Sequence, residues 1–229
     1  MFNRNFGITG LALALFVGAP AAWAASDQQQ LVDRARITID DVRKDKEFGN
    51  APELLRRARA VMIVPQLVKG GFFVGGEGGD AVLLDRSRGK SWSGPAFYTL
   101  GSASFGLQIG LEQSELVLFV MSDKALSALM ADQFKIGAGA GLAIVTLGSS
   151  AEAATTAALH ADIIVWASSS GAYAGVTLNG TVIKPRDSYN AAYYGHPVSV
   201  SDILRAHRAQ NHHADALRQT LAIAGGSAS

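Results

Sequence analysis

The sequence predicts an α+β fold, a mostly antiparallel β-sheet (sandwich or barrel-like) with flanking N- and C-terminal helices. Three observations carry this. Apolar residues recur at helical spacing near both ends, from Leu31 to Val42 and from Ile203 to Leu221. From Ala60 the pattern changes to period two or to short apolar runs, which is strand patterning. Asn179-Gly180, between two β-branched runs, is the strongest hairpin signal in the chain, because a type I′ turn needs positive φ at both positions.

Each element has a local reason. Ser26-Asp27-Gln28-Gln29 has capping-box spacing and opens a helix whose apolar stripe is Leu31, Ala35, Ile39 and Val42. Asp33, Arg36, Asp40, Arg43 and Lys44 form its other side, and Gly49 marks its stop. A second, short helix starts around Pro52 and carries Arg56, Arg57 and Arg59. Strands are expected at Ala60–Gln66, Gly71–Gly76, Ala81–Asp85, Trp92–Leu111 (broken near Gly101) and Glu115–Met121. Further strands follow at Lys135–Leu147, Asp162–Ser168, Tyr173–Leu178 and Thr181–Lys184. Phe97, Thr99, Ala103 and Phe105 share one face and Tyr98, Ser102 and Ser104 the other, which predicts a sheet with one buried face. Ser122–Asp132 reads as a capped helix between strands, and Ser199–Ala222 as one longer helix.

The first segment is a targeting device. Arg4 supplies a positive start, Gly7–Gly18 is a short apolar run, and Ala22-Trp23-Ala24 is a small-x-small cleavage signal after Pro20. The apolar run is shorter than the ~20 residues that span a bilayer. The expected organisation is therefore a signal peptide at 1–24 and one domain at 25–229, periplasmic or secreted after cleavage and peripherally associated with a membrane.

Composition excludes much. The chain has 20 basic against 19 acidic residues, a balance that does not suit general binding to nucleic-acid phosphates. It has no Cys, so disulfides, thiol nucleophiles, Cys-ligated metals and a lipid-anchored Cys are all absent. Gly76-Glu77-Gly78-Gly79-Asp80-Ala81 has the letters of a dinucleotide fingerprint but leads into a strand, not into the helix that a pyrophosphate needs. His207, His212 and His213 lack the spacing that aligns two metal ligands on a helix, so no metal or other cofactor is expected. Ser102 and Ser104 only loosely resemble a nucleophile elbow. No constellation offers nucleophile, base and orienter together, and no enzyme activity is expected.

A different pattern points to binding. Between Leu54 and Gly76 lie Arg56, Arg57, Arg59 and Lys69 with no acidic residue, and Phe72 and Phe73 stand near the end of the stretch. Cations beside aromatic rings make a membrane-surface site, with the cations on lipid phosphates and the rings among the headgroups. The bland alternative is that the arginines solvate a helix and one Phe points into the core.

Several ordered blocks resemble a known family. They are Ala58–Pro65 (ARAVMIVP), Lys69–Gly76 (KGGFFVGG), Trp92–Phe97 (WSGPAF), Gly106–Gly110 (GLQIG), Gly171–Val176 (GAYAGV) and Tyr193–Gly195 (YYG). Together they resemble the SYLF domain, a lipid-binding module whose eukaryotic members bind phosphoinositides and some of whose fungal members also bind actin. The resemblance runs from roughly Ala58 to Gly195. Where the family often has Tyr-Ser and then Lys before Gly, this chain has Trp166-Ala167 and Ser170. The resemblance implies a partner in anionic phospholipid. The apparent signal peptide places the domain where neither actin nor phosphoinositide signalling is expected. The alternative partner is an envelope protein, bound through sheet edges or the N-terminal helix.

Overall fold

A computed structural model describes residues 25–45, 51–71, 74–86, 91–105, 110–137, 142–147, 160–168, 178 and 180–226. The signal-peptide expectation at 1–24 therefore lies outside the described residues, as do Phe72, Phe73 and most of the expected strand Tyr173–Leu178.

Helix α1 (Asp27–Lys44) opens as the capping box requires, with the Ser26 hydroxyl accepting from the Gln29 N–H at 3.3 Å. It ends earlier than Gly49, at Asp45. Helix α2 (Ala51–Arg57) holds Arg56 and Arg57, while Arg59 stands beyond it at the entry to β1 (Ala60–Gly71). The remaining strands are β2 (Val74–Asp85), β3 (Ala96–Phe105), β4 (Gly110–Val120), β5 (Phe134–Lys135), β6 (Ile144–Leu147), β7 (Ile163–Ser168) and β8 (Val182–Pro185). Helix α3 (Asp123–Leu129), capped by Ser122, lies between β4 and β5. These strands form one sheet in the order β5-β8-β3-β2-β1-β4-β7-β6. Every pair is antiparallel except β6 with β7. The α+β, mostly antiparallel architecture with helices at both ends is thus present.

Several boundaries differ from the sequence reading. The expected strand Gly71–Gly76 is divided, since Gly71 ends β1 and Val74–Gly76 opens β2, which runs on unbroken through the expected strand Ala81–Asp85 because glycines do not interrupt a ladder paired on both sides. The expected strand from Trp92 starts only at Ala96, since Trp92 to Pro95 form a tight connection. There the Ser93 hydroxyl accepts from the Asp85 N–H at 2.9 Å, and the Tyr194 hydroxyl donates to Pro95 O at 2.9 Å. The stretch Lys135–Leu147 holds two short strands instead of one, and residues 138–141 between them lie outside the described set. The dinucleotide-like glycines lie in β2, with no helix after them.

The single helix expected at Ser199–Ala222 is instead α5 (Val200–Leu204) and α6 (Asp215–Ala224), with a 3₁₀ turn at His212–Ala214 before the second. The first helix ends at Leu204, His207 beyond it adopts φ 50, and the Asn211 side chain accepts from the His213 N–H at 3.0 Å to start the next turn. Helix α4 (Asp187–Tyr194) was not foreseen, and Gly195 closes it at φ 77. At the expected hairpin Gly180 has φ 88, and the Thr181 N–H donates to Leu178 O at 3.0 Å. Asn179 itself lies outside the described residues.

The expectation of one buried face fails at one end of the sheet. Phe97 and Tyr98 are adjacent, point to opposite faces and are both fully buried. Val61, Ile63, Val82, Leu84, Val117 and Phe119 pack with α1, α2 and α6 on one side. Met62, Val64, Leu83, Leu116 and Leu118 pack with α3 and α5 on the other. Alternation cannot reveal this, because strands covered on both faces read as continuous apolar runs.

Pro65 sits in β1, a central strand, where it has no N–H to give to a ladder. The register accounts for it. Ile63 pairs with Val82 but Gln66 with Asp80, and Val64 pairs with Leu116 but Leu67 with Ser114. One extra residue on β1 against both neighbours is a bulge. Gly79 accommodates the bulge, because a Cβ there would come within 2.5 Å of Gln66 O. Helix α1 crosses the sheet at this level. Its Arg34 Nη1 donates to Gln66 Oε1 of β1 at 3.3 Å, and its Thr38 Oγ1 donates to Glu115 Oε1 of β4 at 2.8 Å. Just past its end, Asp45 accepts from the Trp166 indole of β7 at 2.9 Å.

Candidate functional site

The six residues singled out for lipid binding do not form one patch. Arg56, Arg57 and Arg59 stand at the start of β1, where Ala60 pairs with Asp85 and Val120. Lys69 lies ten residues further along the same strand, roughly 30 Å away at ~3.3 Å per residue. The connections from β1 to β2 and from β3 to β4 both leave from the Lys69 end, since Gly71 pairs with Gly75 and Gly110, and Val74 with Phe105. Phe72 belongs with Phe73 to the first of these connections, and neither is among the described residues.

The acid-free character of the stretch holds along the sequence and not in space. Arg56 pairs with Glu53 one turn back on α2, and Arg59 pairs with Asp123 of α3 at 3.4 Å. Lys69 is flanked in register by Glu77 on β2 and Glu112 on β4. Glu53 lies just before the acid-free stretch begins at Leu54, and Asp123 and Glu112 come from elements distant in the chain. All three arginines are exposed, and Arg57 has no ion-pair partner among the described residues.

Arg86 was missed as well, and it builds this arginine edge. Its Nη2 donates to Leu55 O at 2.8 Å, to Arg56 O at 2.5 Å and to Ala58 O at 3.4 Å, satisfying carbonyls at the end of α2. Its guanidinium lies 4.7 Å from the centre of the buried Trp92 ring, and burial lowers its pKa from the usual arginine value. Arg86 therefore fixes the helix end from which Arg56 and Arg57 project.

A second feature is a cleft of about 340 Å³ on the α1 side of the sheet. Asp27, Gln30, Leu31 and Arg34 of α1 form one wall. Pro65, Gln66 and Val68 of β1, with Gly78, Gly79 and Asp80 of β2, form the floor, and Tyr189 of α4 closes an end. Arg186 pairs with Asp80 at 2.6 Å while its guanidinium lies 3.3 Å over the Tyr189 ring. No local pattern marks this cleft, because α1 and α4, which wall it, are far apart in the chain and meet only over the β1–β2 pair.

No catalytic or metal-binding arrangement emerges among the described residues. The exposed His212 ring meets Asp215 at 3.2 Å, and no group of three potential metal ligands occurs. Ser102 lies within β3, without the strand-to-helix turn of a nucleophile elbow. No described helix is long and apolar enough to cross a membrane.

Residues 101–224 match the Ysc84 family, described as Las17-binding protein actin regulator. Among curated proteins, LAS seventeen-binding protein 3 of Saccharomyces cerevisiae is 28% identical over 177 residues, which is 74% of this chain and 38% of the relative. Protein YSC84 of the same yeast is 28% identical over 168 residues, 70% of this chain and 36% of its own length. SH3 domain-containing YSC84-like protein 1 of Homo sapiens is 27% identical over 152 residues, 66% of this chain and 44% of the relative. The chain thus spans less than half the length of these relatives. No solved structure matches it significantly. The family match covers more than half of the chain, from the second half of β3 through α6: this chain belongs to the Ysc84 (SYLF) family.

Proposed function

We propose that this chain is a non-enzymatic phospholipid-binding domain of the cell envelope, which meets anionic membrane surfaces through Arg56, Arg57 and Arg59. The observation that carries this reading is the arginine edge itself. Three exposed arginines lie at one end of the sheet, Arg56 and Arg57 on a helix end held by Arg86 and Arg59 just beyond it at the entry to β1. The ion pairs to Glu53 and Asp123 are exposed, and such pairs are worth about 0–1 kcal/mol, so a lipid phosphate displaces them at small cost. Each basic residue at an anionic surface contributes about 1 kcal/mol. Three together give a preference of more than about a hundredfold over neutral vesicles. Lys69 lies at the opposite end of β1, and an end-on approach to a flat bilayer engages one end of the sheet or the other.

Co-sedimentation with phosphatidylglycerol-containing and phosphatidylcholine vesicles tests this. Replacing Arg56, Arg57 and Arg59 by Ala abolishes the preference for anionic vesicles, whereas Lys69→Ala preserves most of it. A triple variant that binds like the wild type overturns the reading. Raised salt weakens the wild type, because the attraction decays within a Debye length.

The envelope location rests on the export pattern of residues 1–24. N-terminal sequencing of the protein from its own cells tests it, with Ala25 as the expected first residue. A second reading is favoured by the name of one yeast relative, LAS seventeen-binding protein 3, and by the family's description as a Las17-binding protein. A protein-interaction module responds to no vesicle composition, so the same assay separates the two. Filamentous actin in a parallel sedimentation tests the family's description, and no co-sedimentation is expected of an exported domain.

A further inference from the structure

The cleft beneath α1 holds two charges that no ion pair uses among the described residues, Asp27 and Arg34. With Gln30 and Leu31 they follow i, i+3, i+4, i+7 spacing and so share one face of the helix. Arg34 leans back along that face, its Nη2 donating to Gln30 Oε1 at 3.5 Å and its Nη1 to Gln66 Oε1 at 3.3 Å. Two neutral amides thus hold the guanidinium in place without cancelling its charge, and leave some of its five N–H donors for another acceptor. The two residues stand about two helical turns apart, ~10.5 Å along the axis, and Arg34 reaches back to Gln30 over about one of those turns, which leaves about one turn between its guanidinium and Asp27. The remaining charge of the cleft, Asp80, is neutralised by Arg186 at 2.6 Å.

The floor carries a second, independent observation. A Cβ on Gly79 would strike the bulge, which explains that glycine by packing. Gly78 has no such reason. The nearest atom to a Cβ there is Leu100 O at 3.7 Å, an ordinary contact. Gly78 shares a strand face with Asp80, so a side chain at 78 would stand in the cleft. Its absence keeps open a space of about 340 Å³, within the range of small-molecule sites.

We propose that this cleft binds a small zwitterion with an ammonium and a phosphodiester about one helical turn apart, as in a phosphoethanolamine headgroup. The ammonium sits at Asp27, the phosphodiester takes the spare donors of Arg34, and the linking carbons lie over Val68 and Gly78. A net-neutral cleft with its charges at opposite ends complements a dipole better than it complements a plain anion. This site is distinct from the arginine edge and does not depend on it.

The test is a titration of the ¹⁵N-labelled full chain with glycerophosphoethanolamine, following the amides of Val68, Gly78 and Asp80. Saturable shifts are expected, and Arg34→Gln and Gly78→Val each weaken binding at least about tenfold, the loss of one charged hydrogen bond or of the space itself. Gly78→Val keeps the wild-type melting temperature. Asp27→Asn weakens glycerophosphoethanolamine and leaves glycerol phosphate unchanged or tighter. Vesicles with phosphatidylethanolamine form a second arm: a response to both probes assigns a lipid headgroup, and a response to the soluble probe alone assigns a free zwitterion. The triple arginine variant leaves the titration unchanged, so failure of the edge and failure of the cleft are distinguishable. Absence of saturable shifts, equal binding of glycerol phosphate by the wild type, or wild-type binding by Gly78→Val overturns the proposal.

Discussion

Along β1 the residues from Ala60 to Val64 are completely buried, whereas Gln66, Val68, Lys69 and Gly70, beyond the bulge at Pro65, are only partly covered. The neighbours repeat the division. Ala81 to Leu84 on β2 and Leu116 to Val120 on β4 are fully buried, while Gly75 to Asp80 are not. Helix α1 crosses the sheet near the boundary. One end is a two-sided core that holds the chain together, and the other is a glycine-rich surface with room beside it. The difference teaches that stability and recognition have been assigned to different stretches of the same strands. Substitutions should therefore have opposite consequences at the two ends.

The largest expected effect is at the packed end. Phe97 is fully buried beside Tyr193, its ring centre 5.0 Å away. Phe97→Ala should cost about 3–5 kcal/mol in urea denaturation, the usual loss for a large core ring. A loss below ~1 kcal/mol would break the distinction between the ends. Next come two glycines of the open end that sharpen it. Gly79→Ala drives a Cβ into the Gln66 carbonyl and should cost about 1–3 kcal/mol. Gly101→Ala meets nothing closer than Glu77 O at 3.7 Å and should change stability by less than ~0.5 kcal/mol. Equal melting temperatures for the two variants would refute the bulge as the reason for Gly79.

Gly180→Val should cost about 1–2 kcal/mol through the backbone alone, because φ is 88 and no atom lies within 4 Å of the new Cβ. An unchanged melting temperature would remove the turn assignment.

The smallest effect concerns Glu115, under α1 at the boundary. Burial raises its pKa, and hydrogen bonds from Thr38 and Ser168 oppose that rise. A carboxyl with a raised folded pKa favours folding while protonated and loses that contribution as pH rises through the folded value. Glu115→Gln should therefore be slightly more stable than wild type at neutral pH, the gap closing as pH falls into the carboxylate range. Asp162 acts in the opposite sense. Hydrogen bonds from Ser122 and the Ala143 N–H lower its pKa, so its contribution is present at neutral pH and lost on acidification. Comparing Glu115→Gln with Asp162→Asn across pH should give slopes of opposite sign relative to wild type.

Local signals in the sequence were legible wherever local chemistry decides. Ser26 and Ser122 cap helices as their spacing requires, and Gly180 takes the positive φ expected of it. Interactions across the sheet were not. The acids facing Arg59 and Lys69 come from elsewhere in the chain, and burial on both faces depends on which helices cover the sheet. The C-terminal periodicity of Ile203, Leu204, Leu217 and Leu221 is real, but the residues pack from two helices into different layers. Helix α4 escaped notice because it is short and its first turn, Asp187-Ser188-Tyr189-Asn190, is mostly polar. Its role is tertiary: the buried Asn190 side chain accepts from the Phe97 N–H at 2.8 Å and ties the helix to β3.

Hydrogen exchange with and without phosphatidylglycerol vesicles tests most directly which end of the sheet meets a membrane. Protection is predicted in α2 from Leu55 to Arg59 and around Arg86, with residues 66–80 exchanging as they do in solution. Protection confined to residues 66–80, with α2 unchanged, would contradict the assignment of the arginine edge.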